Sequence, residues 1–294
     1  MRRTTKILIA IGVPFLLMAS QVFAGMTVKL YTQTDGQPSG YRDPKSYGGE
    51  FAAVLSGTST YNTEVIDNAN VLAHYSSKAT TTVNGQSAFE TFCIEVNQTF
   101  SPGTSYNAQA GSVVVPGGPV NYVTLGTAYL YSQFAQGILS GYNYSTSGTG
   151  RELSSDELQD AIWYLQGEIN GSGTVTVSGS EISSVNDSLY TFTTSDPFLT
   201  LAEQAIFGKT GSTQLTAIQA NAKGAYDVLA LNLSSTSNGK TVYNQDQLVY
   251  CPVPEPATFA AGALLLFPLG WSAIRALRKK VAAQSELFLI KGTP

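Results

Sequence analysis

Two uncharged apolar runs, one near each end of the chain, frame everything that folds between them. The first covers residues 7–18, follows Arg2, Arg3 and Lys6, and leads to Val22 and Ala24 just before Gly25. A positive start, an apolar stretch of this length and small residues ahead of a cut are the marks of a secretory signal peptide. Residues 1–24 are therefore expected to be removed. The second run, residues 257–274, is just long enough to cross a bilayer. Arg275, Arg278, Lys279 and Lys280 follow it, so the positive-inside rule puts residues 281–294 in the cytoplasm and the main body outside. The body, residues 25–250, is thus expected to fold after export, in an oxidising compartment.

That body has the material for a core. The chain is 43% hydrophobic and 12% charged, too apolar for disorder to be the default. A net charge of −4 offers no basic surface for nucleic acid. Period-two alternation marks strands in MTVKLYT, in GEFAAVLSG and along SAFETFCIEVNQTF, which reads as one strand closed by Ser-Pro-Gly at 101–103. SVVVPGGPVNYV reads as two short strands about a Pro-Gly-Gly-Pro turn. Residues 124–139 carry a helical pattern, and the polar, Gly-rich stretch SGYNYSTSGTGRE after them reads as an exposed loop. Further helix is expected in DPFLTLAEQAIFG and through TQLTAIQANAKGAYDVLALNL, which ends in a strand at 227–233; GSGTVTVSG and DQLVY read as short strands. Strands first, helices in the middle and strands last make an α+β fold, with a β-sandwich or barrel core and an inserted helical subdomain.

The segment SSDELQDAIWYLQGE, residues 154–168, reads as a helix opening on a capping box, Ser154 with Glu157. Leu158, Ala161, Ile162 and Leu165 form its apolar stripe. Gln159 lies at the edge of that stripe, with Trp163 one turn on. Glu152, Asp156, Glu157 and Asp160 cluster at the helix start, where they suit the dipole and a solvated face better than acid–base work.

Conventional catalysis has little to stand on. The single histidine, His74, has no identifiable partner, and no zinc-protease, phosphate-loop or serine-hydrolase pattern occurs. No metal-binding spacing is present. The chain is read as a non-enzyme without cofactor or metal. Its two cysteines, Cys93 and Cys251, would by default form one disulfide after export; buried thiols are also allowed, and Cys93 sits among Phe92, Ile94 and Val96.

Two resemblances add to this. Pro254, Glu255 and Pro256, followed by the apolar run and the basic cluster, resemble the PEP-CTERM sorting signal of Gram-negative bacteria. That resemblance implies a Pro-rich linker at 251–256, a transmembrane sorting segment with its basic stop at 257–280, and processing by an exosortase. It also implies transient residence in the inner membrane and release to the cell surface or matrix of an exopolysaccharide-producing cell. Within the body, FCIE at Cys93 and LQDAIW at Gln159 resemble the two signature motifs of bacterial thioester domains. There the Cys sulfur and the Gln carboxamide condense with loss of ammonia. The resemblance implies a Cys93–Gln159 thioester, shielded by Phe92 and Trp163, that reacts once with an amine- or hydroxyl-bearing surface ligand. The expected function is a covalent surface adhesin; the alternative is a non-reactive biofilm protein that associates with exopolysaccharide. A thioester needs an activated sulfur, and the start of the Gln159 helix is the expected source of that activation.

Overall fold

The computed structural model describes residues 25–32, 48–62, 64–115, 120–145, 149–177, 180–184, 191–208 and 215–252. The signal segment, the Pro-Glu-Pro motif, the apolar run and the basic cluster lie outside the described residues. Among those described, no helix is long and apolar enough to cross a membrane.

Local chemistry sets most of the elements. β1 (Thr27–Tyr31) and β7 (Ser105–Gly111) alternate, turning Val28, Leu30, Tyr106, Ala108 and Ala110 inward. β2 (Phe51–Ser56) is buried almost throughout. β5 (Thr80–Val83) and β6 (Gln86–Thr91) form a hairpin on Asn84-Gly85, and β10 (Val228–Ser237) and β11 (Lys240–Tyr250) form another on Asn238-Gly239. Both residues of each turn have positive φ, as a two-residue hairpin turn requires. These strands, four to eleven residues long, assemble into one seven-stranded antiparallel sheet, in the order β11-β10-β7-β1-β2-β6-β5. Two small hairpins, β3 (Ser59–Tyr61) with β4 (Glu64–Ile66) and β8 (Thr174–Val177) with β9 (Ser180–Ser184), stand apart from it.

The sheet curls, and helices fill the curl. α1 (Asn68–Leu72) is a short helix capped by the Asp67 side chain. α2 (Leu125–Ala135) starts on the Thr124 cap and is buried nearly all round, which suits a helix inside a core. α4 (Pro197–Phe207) has Asp196 as N-cap, Pro197 in its first turn and Gly208 in the left-handed conformation after it. α5 (Leu215–Ile218) is a single turn. α3 (Gly150–Leu165) is the exception to the apolar rule: its sequence is polar, yet Arg151, Ser154, Ser155, Asp156, Gln159 and Asp160 are all buried. Buried polar groups demand partners, and those partners make the site.

The architecture is therefore α+β, a curled antiparallel sheet with a few helices. Several local readings need correction. The strand read through SAFETFCIEV stops at Thr91; Phe92–Glu95 leaves β2 and turns to β11, giving up one partner for another. SVVVPGGPVNYV contributes one isolated bridge, Val113 with Tyr122. Residues 219–227 are turn and 3-10 structure instead of continued helix. The loop before α3 is not wholly exposed, because Tyr142 and Arg151 are buried.

Candidate functional site

Cys93 lies at the seam where the curled sheet meets itself. Leu248 donates its N–H to Phe92 O at 3.1 Å, and Ile94 donates to Asp246 O at 3.0 Å. These bonds leave Cys93 and Gln247 as directly opposed residues between two ladder rungs. Such pairs hold their side chains close, and Gln247 Nε2 approaches Cys93 Sγ at 3.4 Å. The same nitrogen lies 3.5 Å from Gln245 O, a pure acceptor, so the amide nitrogen is the end that faces both. The sulfur is thereby addressed by a donor. Gln247 Oε1 is buried without a hydrogen-bond partner.

In an antiparallel ladder, alternate residues point their N–H and C=O to opposite sides. Phe92 and Ile94 spend theirs on β11, so those of Cys93 point the other way. Continuing the β2–β6 register beyond Phe51 opposite Thr91 would put Gly49 opposite Cys93. No strand pairing occurs there. The Gln159 carboxamide takes its place, accepting from Cys93 N at 3.0 Å and donating to Cys93 O at 2.9 Å. Cys93, Gln159 and Gln247 are fully buried. Gln159 is thus not at the edge of a buried face but at the centre of one.

On the far side of Gln159 stands Gly48. A Cβ there would lie 2.6 Å from Gln159 Cγ and 2.5 Å from Trp163 Cη2, so glycine is what allows the contact. Trp163 is buried beside Gln159, and its indole Nε1 has no hydrogen-bond partner. Phe92 is buried too, but its ring packs edge-on against Phe134 and Tyr131 of α2. Neighbouring residues on a strand face opposite sides, so Phe92 walls the α2 side of the seam.

α3 begins at Gly150, after Thr149, which makes no side-chain cap. Ser154 and Ser155 are therefore inside the helix, and the capping-box reading fails for a physical reason: their hydroxyls serve tertiary contacts. Ser154 Oγ accepts from Asn143 N, and Ser155 Oγ accepts from Glu50 N at 2.8 Å. Gln159 is the tenth residue of α3. At about 1.5 Å per residue, the helix start lies more than 10 Å away along the axis, too far for its dipole to act on Cys93 in the way the sequence suggested. Asp156 and Asp160, read as solvated, are buried.

The titratable groups around the seam are mostly acidic, and burial raises their proton affinity. Burial, followed by the facing Asp246 and Glu168 carboxylates, pushes Glu95 up to about 9. Burial likewise pushes Asp246 and Glu168 up to about 7. Each of the three also holds backbone: Glu95 Oε2 accepts from Asp246 N, Asp246 from Leu233 N and Val115 N, and Glu168 from Val96 N. At the other end of α3, Arg151 pairs with both Glu50 and Glu90, and Tyr142 donates to Glu50. Burial and the Glu50 charge hold Glu90 well above the usual carboxylate range, against the pull of Arg151.

No disulfide joins Cys93 to Cys251. Burial, with Asp227, Glu64 and Asp67 nearby, pushes the Cys251 thiol up to about 11, which leaves it protonated and inert. His74 is exposed just beyond α1. Among the described residues, no cluster of His, Cys, Asp or Glu is arranged to hold a metal. Sequence reasoning passed over Gln247, Gly48 and the Arg151–Glu50–Glu90 group. The register that brings Gln247 to Cys93 joins residues far apart in the chain, and no local pattern carries it.

Comparison with protein-family models, with curated proteins and with solved structures finds no match to this chain.

Proposed function

We propose that the protein is an exported surface or matrix protein whose Cys93 and Gln159 condense into an internal thioester, which then attaches it covalently to an amine- or hydroxyl-bearing partner. The observation that carries this reading is the pairing of the Gln159 carboxamide with the backbone of Cys93, both residues being fully buried. In the condensation, Cys93 Sγ bonds to Gln159 Cδ, the C–N bond breaks, and the amide nitrogen leaves as ammonia with the thiol proton. Negative charge develops on Gln159 Oε1 during the attack. The Cys93 N–H already points at that oxygen, a donor fixed where charge will form. The Gln247 N–H addresses the sulfur, a substitute for the helix dipole that is too distant to help. Burial keeps water from hydrolysing the product. The partner's nucleophile later takes the Gln159 acyl group, and Cys93 departs as the thiol, a single use without turnover. Sorting by an exosortase at Pro254–Pro256 and transient anchorage through residues 257–280 complete the proposal, resting on the sequence.

A second reading has its own support. Both ends of the Gln159 amide are satisfied by Cys93, as expected of a structural clamp in a non-reactive matrix protein that associates with exopolysaccharide. Intact mass separates the two. The purified, unreduced protein should be lighter than its processed sequence by one ammonia. Methylamine should then add at Gln159 and expose one reactive thiol, and Cys93→Ala should carry no deficit. Full sequence mass in the untreated protein would leave the clamp as the role of Gln159.

A further inference from the structure

Gln159 is held from two sides, and only one of them is Cys93. The other is the backbone of Gly48 and Gly49, both buried, where the chain enters β2. Arg151, Ser155, Gln159 and Trp163 recur every four residues and share one stripe of α3. The residues running from Gly48 to Glu50 lie along that stripe. Glu50 is fixed to its start, with its N–H on Ser155 and its carboxylate on Arg151. Gly48 is pressed onto its end, against Gln159 Cγ and Trp163. Gly49 has φ of 97°, a conformation that side chains other than glycine's resist. The wall is thus anchored to the helix that carries the acyl donor, and it packs on Gln159 Cγ, the atom bonded to the carbon that reacts.

We infer that the Gly48–Gly49 backbone, pinned by Glu50, is the specificity-determining wall of the acyl-transfer site and restricts its nucleophile to small, unbranched primary amines. The inference rests on the thioester reading. Gln159 Cδ has the Cys93 backbone on its amide side and Gly48 against its neighbouring Cγ, so these two elements bound the reacting carbon on two sides. A methyl group at Gly48 has no room without displacing Trp163 or Gln159. The step it governs is balanced: the amine nitrogen bonds to Gln159 Cδ, the C–S bond breaks, and the amine's proton goes to the Cys93 sulfur. Water reaching the same carbon would give a carboxyl at Gln159 and the same thiol.

The test uses the full chain and three probes: methylamine, n-propylamine and cyclohexylamine. Thiol release at Cys93 and intact mass are followed together. Wild type should react with methylamine at least tenfold faster than with cyclohexylamine. Gly48→Ala should hydrolyse spontaneously at least tenfold faster than wild type and lose most of the size preference. Adding Trp163→Phe to Gly48→Ala removes the ring atoms nearest the new methyl but leaves its clash with Gln159 Cγ, so the double variant should still hydrolyse faster than wild type. Trp163→Phe alone only removes volume, so it is informative even if Gly48→Ala does not fold; it should admit the larger amines. A deficit of one ammonia with amine-size preference unchanged in Gly48→Ala and Trp163→Phe would overturn the wall while sparing the thioester. Absence of the deficit in wild type would overturn both.

Discussion

At the scale of single residues, Gln159 and Cys93 make different structural demands, and stability measurements can tell them apart. Replacing Gln159 by Ala strands a buried N–H and a buried C=O of Cys93, at about 1–3 kcal/mol each. Gln159→Ala should therefore lose on the order of 2–5 kcal/mol in urea denaturation if the two residues are not bonded; if they are, it loses the cross-link as Cys93→Ala does. Cys93→Ala keeps both hydrogen bonds and removes one small buried atom, at about 1 kcal/mol. If the thioester is present, the same substitution also removes a cross-link closing a loop of 66 residues, worth about 4 kcal/mol more on chain-entropy grounds. A thermal scan run faster than hydrolysis reads that difference directly; a small shift for Cys93→Ala would weigh against the bond. The sequence singled out both residues because each sits in a short motif of local character. It did not reveal Gln247, whose role comes from a bridge across the seam. Nor did it show Gly48 as special, because the helix that crowds it is about a hundred residues further along.

At the scale of elements, alternation located β1, β2 and β6, and the helical pattern located α2 and α4, because those signals are written within one turn or strand; β7 was not read. The boundaries of α3 were misjudged because polar residues at buried positions mimic a helix start. Arg151, Ser154 and Ser155 look like the polar approach to a helix until Glu50 and Asn143 supply their partners. The two Asn-Gly pairs, at 84–85 and 238–239, were legible hairpin signals that the strand reading passed over. They yield a prediction confined to one element. A methyl at Gly239 would meet nothing within 4 Å, so the cost of Gly239→Ala comes only from its φ of 72°. That cost should be about 1–2 kcal/mol. Gly239→Asn should cost less, since Asn tolerates this conformation. Equal melting temperatures for the two variants would mean that the turn contributes little to pairing β10 with β11.

At the scale of the whole molecule, the order of strands was not legible, because β11 joins the sheet beside β10 yet also meets the residues after β6. Closing that seam draws acids together. Glu95 comes from the segment after β6, Asp246 from β11 and Glu168 from the turn after α3, and the charges that face Glu95 are those of the other two. Folding thus imposes on these groups a proton affinity that the unfolded chain lacks. All three titrate higher in the folded protein, so between about pH 4 and 9 the native state holds protons that the unfolded state has released. Stability must then fall as pH rises, since the state binding fewer protons gains. Asp246 and Glu168, raised to about 7, should share with Glu95 the loss up to neutrality. Glu95, raised to about 9, should account for much of what remains above it. On these groups' account the melting temperature should be highest at about pH 4 and decline toward pH 9. Glu95→Gln keeps an acceptor for the Asp246 N–H but has no proton to lose. Its melting temperature should therefore decline less than that of wild type between pH 5 and 9, keeping below pH 7 only the share due to Asp246 and Glu168 and losing most of the decline above it. Parallel curves for the two proteins above neutrality would show that Glu95 does not carry the proton, and that the seam tolerates its charge.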